Sequence, residues 1–378
     1  MAHGVEQDQT GAGYAVTRLC SAFARQGIEV KLAALNLGGR IPDTGCETGE
    51  FELRRFPYIG PRKIGYSPQL RSFICDTIRD VDIVQTHFLW SYPVAAASHM
   101  AIRAGTPLTM GTHGALLPAA MAKSYLAKSA WYRIIDGPAL EAAQCILATS
   151  EMEEECIRSR LTPKRLEVIP HGIDVPYLRD KSISVKRASE IITGGLSGKF
   201  VLYLGNLNPH KNLKTLVDAW SKIQTNWKEH VLLIVGSGKP GYIKRLQYAI
   251  ESLKLGERVK IQPAVYGSDK WALLTGAEAV VVPSRSENFS FVVGEALSCG
   301  TPVVASQGCP WPILETEGFG RWVDTEDGLI AGAINEVLSW PTERREKMAQ
   351  RAQDFVRDHF SWETVAKQYI KLYHDLVS

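Results

Sequence analysis

The chain has 378 residues, 45% of them hydrophobic and 22% charged, with a formal net charge of +3. That length exceeds one ordinary core and fits two domains, and so slight a charge excess, with no long block of like charge, argues against nucleic acid as a partner. Seven cysteines without a CxxC point to neither a disulfide framework nor a zinc site, so reduced thiols and a cytoplasmic home are expected.

No apolar run reaches the roughly 18 residues that span a bilayer, and the start MAHGVEQDQTGAG has no signal-peptide core. Gly11-Ala12-Gly13 leads into a helical pattern over 14–26, closed by Gly27, and residues 28–33 read as a strand. Residues 34–66 are loop-rich with a short strand at 51–56, and a helix follows over 69–78. A strand at 81–87, a helix ending at Gly105 and a strand at 107–111 deliver Thr112-His113-Gly114. Strand alternating with helix predicts a parallel, Rossmann-like sheet.

Residues 121–133, MAKSYLAKSAWYR, mix lysines with aromatics; they read as an amphipathic helix or as a basic surface for an anionic membrane. The helix is expected to continue over 139–145, ahead of a strand at 146–150. Glu151-Met152-Glu153-Glu154-Glu155 opens another helix with acids favourably placed in its first turn. The strand at 166–170 runs into His171-Gly172-Ile173-Asp174, and the polar stretch 177–198 reads as a linker. A second alternation begins with strands at 199–205, 231–235 and 258–263, a helix at 270–275 and a strand at 279–282. Helices fill 327–339 and 342–359, and the closing 360–378 is amphipathic.

The most informative stretch is 283–305, PSRSENFSFVVGEALSCGTPVVA. It reads as strand end, polar loop, helix and next strand, with Cys299-Gly300-Thr301-Pro302 closing the helix. Such a loop lies where open α/β sheets bind ligands, outside the carboxyl ends of the strands. Glu287 in the loop and Glu295 in the helix are separated by seven residues, so both can flank the helix N-terminus, itself suited to phosphate.

Ser286, Glu287, Phe289, Glu295, Ala296, Cys299, Gly300, Thr301, Pro302, Val303 and Val304 resemble the E-x7-E signature of the retaining GT-B glycosyltransferases of family 4. Ser290 stands where that family usually has Gly. Cys309-Pro310-Trp311 and the later Gly-Phe-Gly-Arg-Trp-Val run are similar to a subset found with envelope polysaccharide synthesis. The resemblance implies two Rossmann-like domains with a cleft between them, at 1–172 and 173–358, and a terminal helix, 359–378, crossing back to the first. It also implies a strand ahead of the Gly11 and Gly13 loop; none is legible there, so that strand is either absent or encoded upstream.

By the same resemblance, Glu287, His113 and Lys211 would be catalytic. Glu295 would take the ribose, and Gly11, Gly13, Gly205, Asn206, Arg285, Asn288, Phe289, Ser290 and Val265 would line the donor. Asn206 occupies a position where relatives carry Arg, which leaves Lys211 with less help against a diphosphate unless Arg285 compensates. The expected activity is hexose transfer from GDP-mannose, UDP-glucose or UDP-galactose to a glycan or lipid-linked saccharide, at the inner face of the cytoplasmic membrane. No cofactor and no metal are expected, since no DxD-type site is evident. Alternatives are a sugar-nucleotide epimerase of the same fold, or a catalytically weak scaffold that binds the nucleotide sugar.

Overall fold

The computed structural model describes residues 1–5, 11–38, 49–176, 181–192 and 199–378. They form two compact units, Met1–Gly172 with Trp362–Ser378, and Ile173–Ser361. Each is a parallel α/β fold of the Rossmann kind, as the alternating pattern predicts.

In the first unit, β1 (Lys31–Leu35) pairs with β2 (Glu52–Phe56). A second ladder runs β3 (Val84–His87), β4 (Leu108–Gly111), β5 (Cys145–Ala148) and β6 (Leu166–Val168), all parallel. β4 and β5 are buried throughout, because helices cover both faces. The chain start joins the two ladders. Ala2 N donates to Ala33 O and Leu35 N to His3 O on one side, while His87 N donates to Met1 O and the Met1 amine to Gln85 O on the other. Met1–His3 thus holds the place in which the resemblance calls for a first strand. Beside it lies a cavity of about 250 Å³ lined by Met1, Cys20, Phe23, Val84, Gln85 and Tyr373. The helix Trp362–Val377 belongs to this unit and stacks Tyr369 and Tyr373 on Phe23, with ring centroids 5.7 and 5.6 Å apart.

The second unit carries β7 (Lys199–Leu204), β8 (His230–Val235), β9 (Val259–Gln262), β10 (Ala279–Val282), β11 (Val303–Ser306) and β12 (Gly320–Val323), in the spatial order β12-β11-β10-β7-β8-β9. The chain winds outward from β7 one way, then returns to β10 and winds the other way. β7 and β10 therefore sit side by side at the topological switch point, where their following loops diverge and leave room for a ligand. Trp220, Tyr203 and Phe319 anchor the core beneath.

Four expectations are corrected. The stretch read as a linker holds a helix, Lys181–Ile191, whose Ala188 is buried in the second unit's core, with Arg187 bonded to Asp269 at 3.0 Å. So few apolar anchors raise no helical period; the rest of that stretch, 177–180 and 193–198, lies outside the described residues. The helix read from residue 14 already begins at Gly11, so both glycines sit in its first turn. The single helix expected over 121–133 is broken into Pro118–Ala122 and Tyr125–Trp131 by Ser124, whose φ is 61°, and Cys145 belongs to β5 instead of the preceding helix. Replacing Trp220, which is fully buried, with Ala is expected to cost about 3–5 kcal/mol, read as a lowered urea midpoint for the second unit.

Candidate functional site

At the switch point of the second unit the loop after β7 meets the loop after β10. Gly236 lets the first loop pass close by: a Cβ there would lie 1.8 Å from Gly205 O. Asn208 caps the short 3₁₀ turn Pro209–Lys211 by accepting from His210 N at 3.0 Å. Arg285 N donates to His210 O at 2.9 Å, which ties the two loops together, and Glu287 N donates at 2.8 Å to Gly308 O in the loop after β11. Lys211 is thereby delivered to Glu287 in a short ion pair, with side chains 25% and 12% exposed.

Behind this pair the helix Phe291–Ser298 points its N-terminus into the loop, and no side chain caps it. Ser290, just before it, has φ 66°, a left-handed conformation that explains why Gly is usual there. One further turn along, Glu295 is buried and pairs with Lys270 at 2.8 Å from the helix Gly267–Gly276. The unit therefore presents two acid–lysine pairs flanking a helix N-terminus. Such a set can hold a phosphorylated ligand by its charge and neighbouring hydroxyls by its carboxylates.

The remaining expected residues of this unit fall into two groups. Asn206 is exposed, and its backbone oxygen accepts from the Tyr203 hydroxyl at 2.9 Å. Arg285 is exposed too, with no ion pair to any described residue, on the loop that is bonded to the Asn206–Lys211 turn. The Phe289 ring, by contrast, is core: it packs on Trp311 at 5.3 Å, and its carbonyl accepts from the Trp311 indole. Val265 is half-buried against the same core.

In the first unit, Gly11 and Gly13 open the helix Gly11–Arg25, and His113 stands just past β4 with φ 48°. Its ring lies between two others. His87 Nδ1 is 2.9 Å from His113 Nε2, and His113 Nδ1 is 3.4 Å from His171 Nε2. Burial pushes His113 down to about 4; burial, then the neighbouring His113, hold both His87 and His171 well below the usual histidine range. All three rings are neutral at pH 7.

The loop that carries His113 is fixed by Glu153, which had been read only as a dipole-favourable acid. Its carboxylate is buried and accepts from Thr112 Oγ1 and Gly114 N with one oxygen. The other accepts from Thr149 N and Thr149 Oγ1, each at 2.8 Å. The sequence did hold a signal: Ser150 and Glu153 form an S-x-x-E capping box, and Ser150 Oγ accepts from Glu153 N at 3.3 Å. Lys270 was also missed, as nothing in the sequence pairs it with Glu295.

Two known families match parts of this chain. Residues 190–355 match the family described as Glycosyl transferases group 1, and residues 10–176 match Glycosyltransferase Family 4. A GDP-mannose:cellobiosyl-diphosphopolyprenol alpha-mannosyltransferase of Xanthomonas oryzae pv. oryzae is 26% identical over 85% of this chain and 80% of its own. A D-inositol 3-phosphate glycosyltransferase of Jonesia denitrificans is 24% identical over 97% of this chain and 91% of its own. Among solved structures, Anabaena Alr3699/HepE in complex with UDP-glucose superposes with a TM-score of 0.78 at 18% identity, covering 99% of each chain. WaaG, a glycosyltransferase involved in lipopolysaccharide biosynthesis, superposes with a TM-score of 0.69 at 15% identity over 96% of each.

Changing Glu153 to Gln would turn an amide NH₂ toward two donors. A loss of roughly 2–3 kcal/mol is expected, measured by thermal unfolding, with faster hydrogen exchange at Gly114; an unchanged Gly114 rate would mean the carboxylate does not hold the loop.

Proposed function

Because the chain belongs to the glycosyltransferases of group 1 and family 4, with two Rossmann-like domains of the GT-B kind, we propose that it is a retaining, metal-independent hexosyltransferase of cell-surface polysaccharide synthesis. The donor would be GDP-mannose or a UDP-hexose, and the acceptor a glycan or lipid-linked saccharide. The Xanthomonas relative is named for GDP-mannose and a diphosphopolyprenol-linked acceptor, whereas the Anabaena neighbour was solved with UDP-glucose, which keeps both bases in the reading.

The observation that carries this function is the Lys211–Glu287 pair at the switch point, with Glu295 and a helix N-terminus beside it. As the glycosidic bond to the donor breaks, positive charge builds on the sugar ring and negative charge on the leaving diphosphate. Lys211, the amides at Asn288, Phe289 and Ser290, and the helix dipole meet the second charge, and no metal is then required. Arg285 supplies the cation that Asn206 lacks, from the loop bonded to the same turn. Glu287 holds Lys211 and takes sugar hydroxyls, and Glu295 takes the ribose hydroxyls once Lys270 releases it. Gly205 and Val265 line the nucleotide, Gly11 and Gly13 offer backbone amides to the phosphates, and His113 bonds the donor sugar or phosphate.

A membrane role is supported by a patch on the first unit. The helix Tyr125–Trp131 buries none of its residues, and Leu126 is 82% exposed. Tyr92 N donates to Ile64 O, which ties the 59–66 loop to the start of the helix Tyr92–Ala104, with Ile59 64% exposed. Burial, then Lys123 and Lys63, lower the Lys128 ammonium. Neither 59–66 nor 118–135 contains an acid. Exposed apolar residues on two acid-free stretches that carry five cations, Arg62, Lys63, Lys123, Lys128 and Arg133, suit an anionic bilayer at the inner leaflet.

Thermal shifts with UDP, GDP and ADP test the donor site: the matching nucleotide at a hundred times its Kd is expected to add about 2.7 kcal/mol. Transfer from the corresponding sugar should then persist in chelator, give product with the donor's anomeric configuration, and fall by about 10²–10³ in Lys211→Ala. Chelator-sensitive turnover or an inverted product would overturn those parts of the reading. Nucleotide binding without transfer, in wild type and Asn206→Arg alike, would point to the scaffold instead, and an isomerised donor without acceptor to an epimerase. The patch predicts co-sedimentation with anionic but not neutral vesicles, lost in Leu126→Glu; no binding to anionic vesicles at low salt would remove the membrane from the proposal.

A further inference from the structure

The histidine row in the first unit does not end at His87. Gln85 Nε2 lies 3.2 Å from His87 Nε2, and the Tyr373 hydroxyl makes a short bond to Gln85 Oε1. Five side chains from β3, the ends of β4 and β6, and the terminal helix thus form one chain of hydrogen bonds: Tyr373, Gln85, His87, His113, His171. A chain of neutral rings can run in either of two directions, and the direction decides which nitrogen of each ring carries the proton.

Tyr373 sets that direction. Its ring is half-buried, among the described residues its hydroxyl bonds to Gln85, and desolvation holds it well above the usual tyrosine range, so it carries its proton. That hydroxyl donates to Gln85 Oε1, the acceptor end of the amide. Gln85 must then turn its NH₂ to His87 and donate to Nε2. His87 is left with its proton on Nδ1, which it donates to His113 Nε2 at 2.9 Å. His113 in turn carries its proton on Nδ1, facing His171 Nε2 at 3.4 Å.

We propose that Tyr373, Gln85 and His87 are positioning residues that fix His113 as the neutral Nδ1–H tautomer, making it a hydrogen-bond donor. The two bonds of His113 are unequal. The one at Nε2 has ordinary length, whereas the one at Nδ1 is long and weak. Nδ1–H is therefore the group that can leave its neighbour for an oxygen of a ligand, and Nε2 is withheld from base chemistry. Gly111 serves the same arrangement, since a Cβ there would lie 3.0 Å from His113 Nε2. The identity of the ligand, a sugar hydroxyl or a phosphate oxygen, rests on the glycosyltransferase reading; the tautomer does not.

The test is ring-nitrogen NMR of the full chain labelled with [15N]histidine at pH 7.5, with His113 and His87 assigned by substitution to Asn. Both rings are expected to show a protonated Nδ1 and a pyridine-like Nε2. In Gln85→Leu the direction is no longer imposed, and the His113 signals should shift toward a mixture of both tautomers. Tyr373→Phe removes only the hydroxyl and gives the same test should Gln85→Leu fail to fold. A His113 protonated on Nε2, or doubly protonated, in the wild type would overturn the proposal, as would an unshifted His113 in both variants. The readout needs no turnover, so a chain that transfers no sugar still decides it.

Discussion

Lys211 and Glu287 are 76 residues apart, and their ion pair exists because β7 and β10 are neighbours. Strand order β12-β11-β10-β7-β8-β9 puts the two central strands together while sending their crossovers to opposite sides. The loops at their carboxyl ends have no strand between them, and a hydrogen bond from Arg285 N to His210 O closes them on each other, while Glu287 N is held by Gly308 O of the loop after β11. A shift of either strand would separate the pair and take the ammonium away from the helix N-terminus. The chemistry of the second unit follows from that one adjacency.

Charge compensation without ligand is the second constraint. Both carboxylates of the E-x7-E pair already hold a lysine, Glu287 with Lys211 and Glu295 with Lys270. A carboxylate in a partly buried loop would be costly alone. The lysines hold the acids in place, and a bound polyol or phosphate can exchange with them bond for bond. The first unit solves its own burial problem by another route. Glu153 has no cation among the described residues but accepts four hydrogen bonds, and the histidines stay neutral and satisfy one another in a row.

Much of the fold was legible because parallel α/β units write their period plainly. β8 and β10 are unbroken apolar runs, and Cys299-Gly300-Thr301-Pro302 ends its helix where Gly adopts φ 74°. Ser290 shows a subtler agreement, since the position where Gly is usual does need the left-handed conformation. What escaped was weakly patterned. The helix Lys181–Ile191 lies in a polar stretch of sequence, and Met1–His3 is too short to read as a strand, although it joins two ladders by hydrogen bonds. Lys270 looked like any surface lysine, and Glu153 like any first-turn acid.

The sequence alone determined the class of fold, the order of strands and helices, and the family, because hydrophobic period, turn residues and the E-x7-E phrase are local. It also named Glu287, Glu295, Lys211 and His113, which lie within or near such phrases. Tertiary structure decided their partners. That Glu295 meets Lys270, that Arg285 lies against the turn of Asn206, and that Tyr373 reaches Gln85 from 288 residues away are outcomes of strand order and helix packing. Hydrogen bonds and ion pairs act over about 3 Å, and no local pattern records which distant residues the fold will bring that close.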